Sequence, residues 1–153
     1  MKKILLILIS EILLFTITGC NTTTTVKNDA ELNQINGVTM TIKENTLTRS
    51  GATVVINDTN RTRTYSYGEA YRIDKKENGQ WEELKPIHDD YGFNEMAYYT
   101  DDDGKLEFNY NWEYIYGQLE NGEYRLVKSA YLVSNTPVTE DDKLYFSVEF
   151  NIE

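Results

Sequence analysis

The sequence predicts an all-β protein built as an antiparallel β-sandwich of seven to eight strands. From Val38 onward, apolar and polar residues alternate in short segments that recur about ten residues apart, as expected for half-buried strands. No segment in this part of the chain has a convincing helical period. The chain also contains 12 Tyr among 153 residues, and aromatic side chains favour pleated surfaces. A closed barrel with the same number of strands would show the same alternation, so it stays open as an alternative.

The strands of the first half follow from their alternation and from one turn. In the third segment Glu69 falls on the inward phase, where we expect a hydrogen-bonded structural carboxylate or an exception at a strand edge rather than a general acid. Asn78-Gly79 supplies the left-handed backbone that a tight hairpin needs before a strand that carries Trp81. The predicted inward residues are Val38, Met40 and Ile42, then Ala52, Val54 and Ile56, then Tyr67, Tyr71 and Ile73.

The second half begins with the acidic turn Asp101-Asp102-Asp103-Gly104, which precedes the clearest alternation of the chain. Trp112 to Tyr116 is compatible with one short helical turn. Three strands are predicted after the acidic turn, because apolar residues share one alternating face in each of them. Their inward residues are Leu106, Phe108, Tyr110 and Trp112, then Tyr124, Leu126, Ala130 and Leu132, then Leu144, Phe146, Val148, Phe150 and Ile152.

The N-terminus has the layout of a secretory signal. Lys2 and Lys3 form a positive start, and an apolar stretch from Ile4 to Ile17 follows, interrupted by Glu11. This stretch is shorter than the roughly 20 apolar residues that a membrane-spanning helix needs. The pattern therefore predicts an exported protein.

The sequence Ile17-Thr18-Gly19-Cys20 resembles the lipobox of bacterial prolipoproteins, in which the Cys is lipidated and the chain is cleaved before it. This resemblance implies a signal peptide at residues 1–19 and a lipid on Cys20, with the protein held on the exported side of the cell membrane. The polar residues after Cys20 show no apolar period and predict a flexible tether over residues 20–36. The sandwich domain is then predicted at residues 37–153.

The formal net charge of −10 argues against a nucleic-acid partner, because such proteins cluster Lys and Arg to neutralise phosphates. Repulsion between acidic copies favours a monomeric domain. Since Cys20 is the only cysteine, the domain has no internal disulfide.

In Leu119 to Tyr124 a turn with Gly feeds a strand, as in the tyrosine corner of sandwich domains, and this assigns the structural role to Tyr124. Five stretches recur in order along the chain: GVTMTIKE (37–44), ATVVIND (52–58), YGEAYRIDKKENGQWEEL (67–84), HDDYGFNEMAYY (88–99) and NWEYIYGQLENGEYRLVK (111–128). Together they resemble a bacterial Ig-like domain family that is found on envelope proteins, including small lipoproteins. The resemblance implies an immunoglobulin-like sandwich, although the Cys pair of antibody domains is missing.

The family resemblance supplies no ligand and no catalytic residues, so it implies a non-catalytic binding or structural module at the cell envelope. Its partner would be an envelope protein or a glycan. A small-molecule or carbohydrate-sensing domain is the alternative. We expect no cofactor, no metal and no enzymatic activity.

The best candidate for a contact surface is the long connection that carries Tyr91, Phe93, Tyr98 and Tyr99, because aromatic residues are enriched at interaction surfaces. The alternative is that these rings cap one end of the sandwich core. His88 is the only His and is expected to be a surface-loop residue.

The acidic run Asp101 to Asp103 is expected to be a solvated hairpin turn, since it lacks the ligand spacing of an EF-hand loop. Calcium binding by these carboxylates is the alternative.

Overall fold

The computed structural model describes residues 32–33, 35–60, 62–134, 139 and 142–153. The predicted signal peptide, Cys20 and the tether up to residue 31 lie outside the described residues. The described part contains seven strands and one short helix: β1 (Val38–Ile42), β2 (Gly51–Asp58), β3 (Tyr65–Glu77), β4 (Gln80–Glu83), β5 (Lys105–Asn111), α1 (Glu113–Tyr116), β6 (Gly122–Leu132) and β7 (Lys143–Ile152).

The strands form two antiparallel sheets that enclose one core. The first sheet has the order β1-β2-β5 and the second has the order β4-β3-β6-β7. The prediction of an antiparallel sandwich with seven to eight strands is confirmed, and the barrel alternative is wrong. The short helical turn after Trp112 is present as α1.

Alternation explains how each sheet covers the core. Along β2, every second residue is buried, so that Ala52, Val54 and Ile56 face the other sheet. Trp112, which follows β5, is completely buried, stacks on Phe150 of β7 and donates from its indole nitrogen to a backbone carbonyl at 2.8 Å. The core therefore joins both sheets through large aromatic side chains as well as aliphatic ones.

One turn and one bulge determine how β3 runs. The predicted Asn78-Gly79 turn has positive φ angles of 52° and 79°, which connects β3 to β4 as a tight hairpin. Further upstream, the pairing of β3 with β6 shifts between Tyr67 and Tyr71. Both tyrosines still face the core, while Glu69 between them is only half-buried. The bulge therefore takes Glu69 out of the inward phase that strict alternation predicts.

The packed domain begins before Gly37. Leu32 is buried and bridges to Tyr145 of β7, and Ile35 is part of the core. These two residues of the predicted tether therefore pack against the domain. They are too few and too irregularly spaced to show a strand pattern in the sequence, but β7 and the core bury their apolar side chains.

Candidate functional site

Residues 84–100, here called the covering segment, close the side of the sandwich between β3 and β5. The segment has almost no regular secondary structure, and long irregular connections in compact domains are commonly functional. Both of its ends are attached to β3. The Leu84 amide donates to the Ile73 carbonyl at 2.9 Å, and Tyr98 and Tyr67 exchange two backbone hydrogen bonds of 2.9 Å.

The four residues predicted as a contact surface all lie in the covering segment, but they do not share one environment. Tyr91, Phe93 and Tyr98 are half-buried and pack against the core, whereas Tyr99 is 53% exposed. Three of the four rings thus help to cap the core, and only Tyr99 presents most of its surface. A role in partner binding stays a prediction for this set. The ring centroids are 5.9 Å apart for Tyr91 and Phe93, 5.2 Å for Phe93 and Tyr71, and 5.3 Å for Tyr98 and Phe108.

A cleft of about 370 Å³ lies where β3, the covering segment, β5 and α1 meet. Its lining includes the carboxylates of Glu69 and Asp90 and the exposed residues Asn109 and Asn111 of β5. Asn109 and Asn111 are two positions apart on one strand and therefore lie on the same face. The cleft thus gathers polar groups from three separate parts of the chain.

Aromatic rings form much of the remaining wall of the cleft. Tyr91 comes from the covering segment, Tyr114 from α1, and Tyr71 and Tyr110 from the facing strands. The centroids of Tyr71 and Tyr110 are only 4.3 Å apart, with the two rings tilted by 43°. The cleft therefore combines ring faces with acidic and amide groups.

Hydrogen bonds hold the two carboxylates of the cleft in place. The Glu69 Oε2 atom accepts from the Asn94 backbone amide at 3.1 Å and from the Asn94 side-chain amide. The Asp90 Oδ1 atom accepts from the Tyr114 hydroxyl at 3.1 Å. Glu69 is therefore a bonded structural carboxylate, which is one of the two roles expected from the sequence.

The hydroxyl of Tyr71 is an exception among these polar groups. Tyr71 is 8% exposed, and its hydroxyl oxygen has no hydrogen-bond partner among the described residues. Burial raises the pKa of this phenol well above its ordinary value, with Tyr116 and Glu69 adding to the effect, so the hydroxyl keeps its proton. A buried polar group without a partner is rare in folded proteins.

A buried lysine that contacts the β3 bulge and the cleft residue Tyr110 is not predicted from the sequence. Lys128 of β6 is 1% exposed. Its ammonium group donates to the carbonyls of Gly68 at 2.7 Å and Ala70 at 3.2 Å, and also to the Tyr110 hydroxyl. It lies 4.0 Å from the ring centroid of Phe108. The β3 bulge thus has its carbonyls turned inward to bind this cation.

Burial lowers the pKa of Lys128 to about 7, and the nearby Glu69 carboxylate opposes that change. The sequence does contain a signal for this position. Lys128 has the same alternation phase as Leu126 and Ala130, which are buried on β6. A lysine at an inward position predicts either an irregularity in its strand or acceptor groups that bind the buried ammonium. Here the bulge of the neighbouring strand β3 supplies the acceptors.

A family model matches nearly the same residues that form the two sheets. The model described as a bacterial Ig-like domain matches residues 34–149. The chain belongs to the bacterial Ig-like domain family. No curated protein and no solved structure matches the chain. The resemblance recognised in the sequence is therefore confirmed at the level of the family.

In this Ig-like domain, Tyr124 at the start of β6 has the geometry of a tyrosine corner. Its hydroxyl donates to the Glu120 carbonyl, four residues upstream, at 2.9 Å. Its ring stacks on Phe150 with centroids 5.7 Å apart. Tyr124 thus ties the turn before β6 to the core, which is a structural role.

The remaining polar candidates of the Ig-like domain lie at its surface. His88 is exposed and stacks on Tyr114 with ring centroids 5.1 Å apart. Asp101 Oδ1 accepts from the backbone amides of Asp103 at 3.0 Å and Lys105 at 2.7 Å, which caps an exposed turn. This turn is not the predicted hairpin, because β5 pairs with β2 and not with the segment that precedes the turn. Within the described ranges, no group of three or more His, Cys, Asp or Glu residues is arranged to hold a metal ion. None of the helices in those ranges is long and apolar enough to cross a membrane.

Proposed function

We propose that this chain is a bacterial surface lipoprotein whose Ig-like domain is a non-catalytic binding module at the cell envelope. Two independent features support the proposal. The lipobox-like sequence that ends at Cys20 follows a charged and apolar leader, which is the arrangement that prolipoproteins share. The family itself is described as a bacterial Ig-like domain. A diacylglyceryl group on Cys20 would anchor the domain durably, because two acyl chains bind membranes much more strongly than one.

The observation that carries the binding role is the exposure of large apolar side chains on the two elements that form part of the cleft wall. Ile87, Met96, Tyr99 and Tyr114 are each more than half exposed; Tyr114 lines the cleft, and the other three lie on the covering segment. Exposed apolar groups on the elements that build a polar cleft are typical of interaction sites. This side of the domain is therefore the proposed contact side.

The composition of the cleft favours binding over nucleophilic catalysis. The described residues that line it are Asp, Glu, Asn, Tyr, Phe, Gly and Ile, so a Ser, Cys or Lys nucleophile beside a His base is not among them. Carboxylates, amides and ring faces instead hold a ligand by hydrogen bonds and stacking. The same composition favours the second candidate function, a small-molecule or carbohydrate-sensing domain.

Metabolic labelling with palmitate tests the anchor. Cells that express the wild-type chain are expected to incorporate label into the protein and to retain it in the membrane fraction. The variant Cys20→Ser removes the acceptor thiol and is expected to lose the label and leave the membrane fraction. Thr22→Ser, a change of similar size two residues away, is the matched control and keeps both. Equal labelling of the wild type and Cys20→Ser contradicts the anchor.

Chemical cross-linking on living cells tests the binding module. The anchored wild type is expected to give a discrete adduct with an envelope component. Tyr99→Ala removes an exposed ring of the covering segment and should weaken that adduct severalfold. Val133→Ala, at an exposed position outside the segment, should leave it unchanged. An adduct that depends equally on both positions, or that never forms, argues against the covering segment as the contact side.

A further inference from the structure

The acidic lining of the cleft favours a positively charged ligand. Glu69 and Asp90 both contribute carboxylates to its lining, and no Lys or Arg is among the described lining residues. Neither carboxylate forms an ion pair within the described part of the chain. The Lys128 ammonium lies close enough to interact with the Glu69 charge. Because Asp90 has no such cation partner among the ion pairs of the described residues, the lining keeps a negative charge, which attracts a cation that can donate hydrogen bonds.

The rings of the cleft strengthen the same preference and add a preference for shape. Tyr91 and Tyr114 contribute to the wall, and the faces of aromatic rings attract cations as well as apolar ring surfaces. The cleft volume of about 370 Å³ lies at the lower end of the range for small-molecule sites. It is thus large enough for a single sugar-sized ring.

Three further polar groups remain for such a ring. Asn109 and Asn111 lie on one face of β5, and their carboxamides carry N–H donors and carbonyl acceptors, although the Asn111 Oδ1 atom already accepts from the Glu113 backbone amide at 3.0 Å. The Tyr71 hydroxyl belongs to a cleft residue and has no partner within the described ranges. Since a buried hydroxyl without a partner is unfavourable, a ligand hydroxyl or a bound water that displaces the atoms covering it supplies the missing hydrogen bond.

We infer that the cleft binds a sugar-sized ligand that carries a free, protonated amino group, as in an amino sugar such as glucosamine. In this arrangement the Glu69 and Asp90 carboxylates accept from the ammonium group. The tyrosine rings pack against the sugar ring, and Asn109 and Asn111 bond to its hydroxyls. The inference rests on the proposed binding function and names the ligand class of that same site.

Nuclear magnetic resonance titration of the full-length, isotope-labelled chain in detergent micelles tests the inference. The probes are glucosamine, N-acetylglucosamine, glucose and ethanolamine at about pH 6, where the free amines are protonated. Glucosamine is expected to shift the backbone amide signals of Gly92, Asn109 and Asn111 saturably. The other three ligands each lack the charge or the ring, so they are expected to bind at least about tenfold more weakly, a difference of about 1.4 kcal/mol.

Variants separate the contribution of each cleft group. Glu69→Gln and Asp90→Asn keep the side-chain size and an acceptor oxygen but remove the charge, and each should weaken glucosamine binding about fivefold or more. Tyr71→Phe should weaken it about threefold. Asp103→Asn is the control, because Asp103 is an exposed carboxylate on the turn before β5, at the end of the strand away from Asn109 and Asn111. It should bind glucosamine as the wild type does.

Three outcomes would overturn the inference. Equal binding of N-acetylglucosamine and glucosamine shows that charge is not selected. Equal binding of ethanolamine shows that the ring is not recognised. If glucosamine causes no saturable shifts, the cleft does not bind this ligand. In each case the palmitate label and the cross-linked adduct report independently on the proposed function, so a failure of the ligand class is distinguishable from a failure of the binding module.

Discussion

The two sides of this sandwich are built differently. On the side of β1 and β7, the pairing is regular: β1 pairs with β2 without a shift, and β6 pairs with β7 without a shift from Gly122 to Tyr131. On the side of β3 and β5, the ladder is interrupted by a bulge, a lysine is buried in the core, and an irregular segment closes the gap. The cleft lies on this second, irregular side.

The difference shows how the irregular side is stabilised. Regular strands satisfy one another's backbone groups and need only apolar side chains inside. At the bulge of β3, the carbonyls of Gly68 and Ala70 lie outside the regular pairing with β6. The Lys128 ammonium donates to them instead. The covering segment is likewise attached to the bulge by the Glu69 carboxylate. Polar contacts thus permit a backbone shape that leaves room for a cleft.

The largest expected effect concerns the regular core. Trp112→Ala removes a completely buried ring that stacks on Phe150, and we expect it to lower the free energy of unfolding by about 3–5 kcal/mol. Urea denaturation measures this change. The matched control is Trp81→Ala, since Trp81 is half-buried on β4 and should cost only about 1 kcal/mol. Equal losses for the two tryptophans would contradict the assignment of Trp112 to the core.

A smaller effect is expected from the covering segment. Phe93→Ala removes a half-buried ring that packs edge-on against Tyr71, and it should cost about 2 kcal/mol in urea denaturation. Met96→Ala, in the same segment but 59% exposed, should change stability by less than about 0.5 kcal/mol. If Phe93→Ala also stays within that smaller range, the ring does not cap the core and is instead available to a partner.

The smallest effect depends on pH and concerns the buried lysine. Below about pH 7, Lys128 holds its proton in both the folded and the unfolded chain. At higher pH the folded chain loses this proton, while the unfolded chain keeps it up to the ordinary lysine pKa of 10.5. The unfolded chain then binds more protons, so stability rises with pH. We expect a rise of about 1 kcal/mol between about pH 7 and pH 8.

Urea denaturation at several pH values checks this rise, and two lysine variants isolate its source. Lys128→Met removes the titrating group and should abolish the rise. Lys105→Met removes an exposed lysine from β5 and should preserve it. A wild type whose stability is constant over this range, or a Lys128→Met variant that retains the rise, would show that another group titrates.

Much of the regular side was predictable because its signals are local. The alternation of Ala52, Val54 and Ile56 identifies an inward face without knowledge of the partner strand. The irregular side was less accessible, because Glu69 obeys the inward phase in the sequence and leaves it only at the bulge. Lys128 is the opposite case. It follows the inward alternation of Leu126 and Ala130, but a charged residue is not expected at a buried position.

The sequence by itself determined the sandwich class, the faces of most strands, the Asn78-Gly79 hairpin and the corner at Tyr124. These features depend on residues a few positions apart, whose conformations and burial follow from local periodicity and turn chemistry. Only the tertiary structure decided the order of the strands, the burial of Lys128 and the cleft. Those features join groups that are far apart in the chain, such as Lys128 with Gly68 and Glu69 with Asn94, and no local pattern encodes which distant partner a side chain meets.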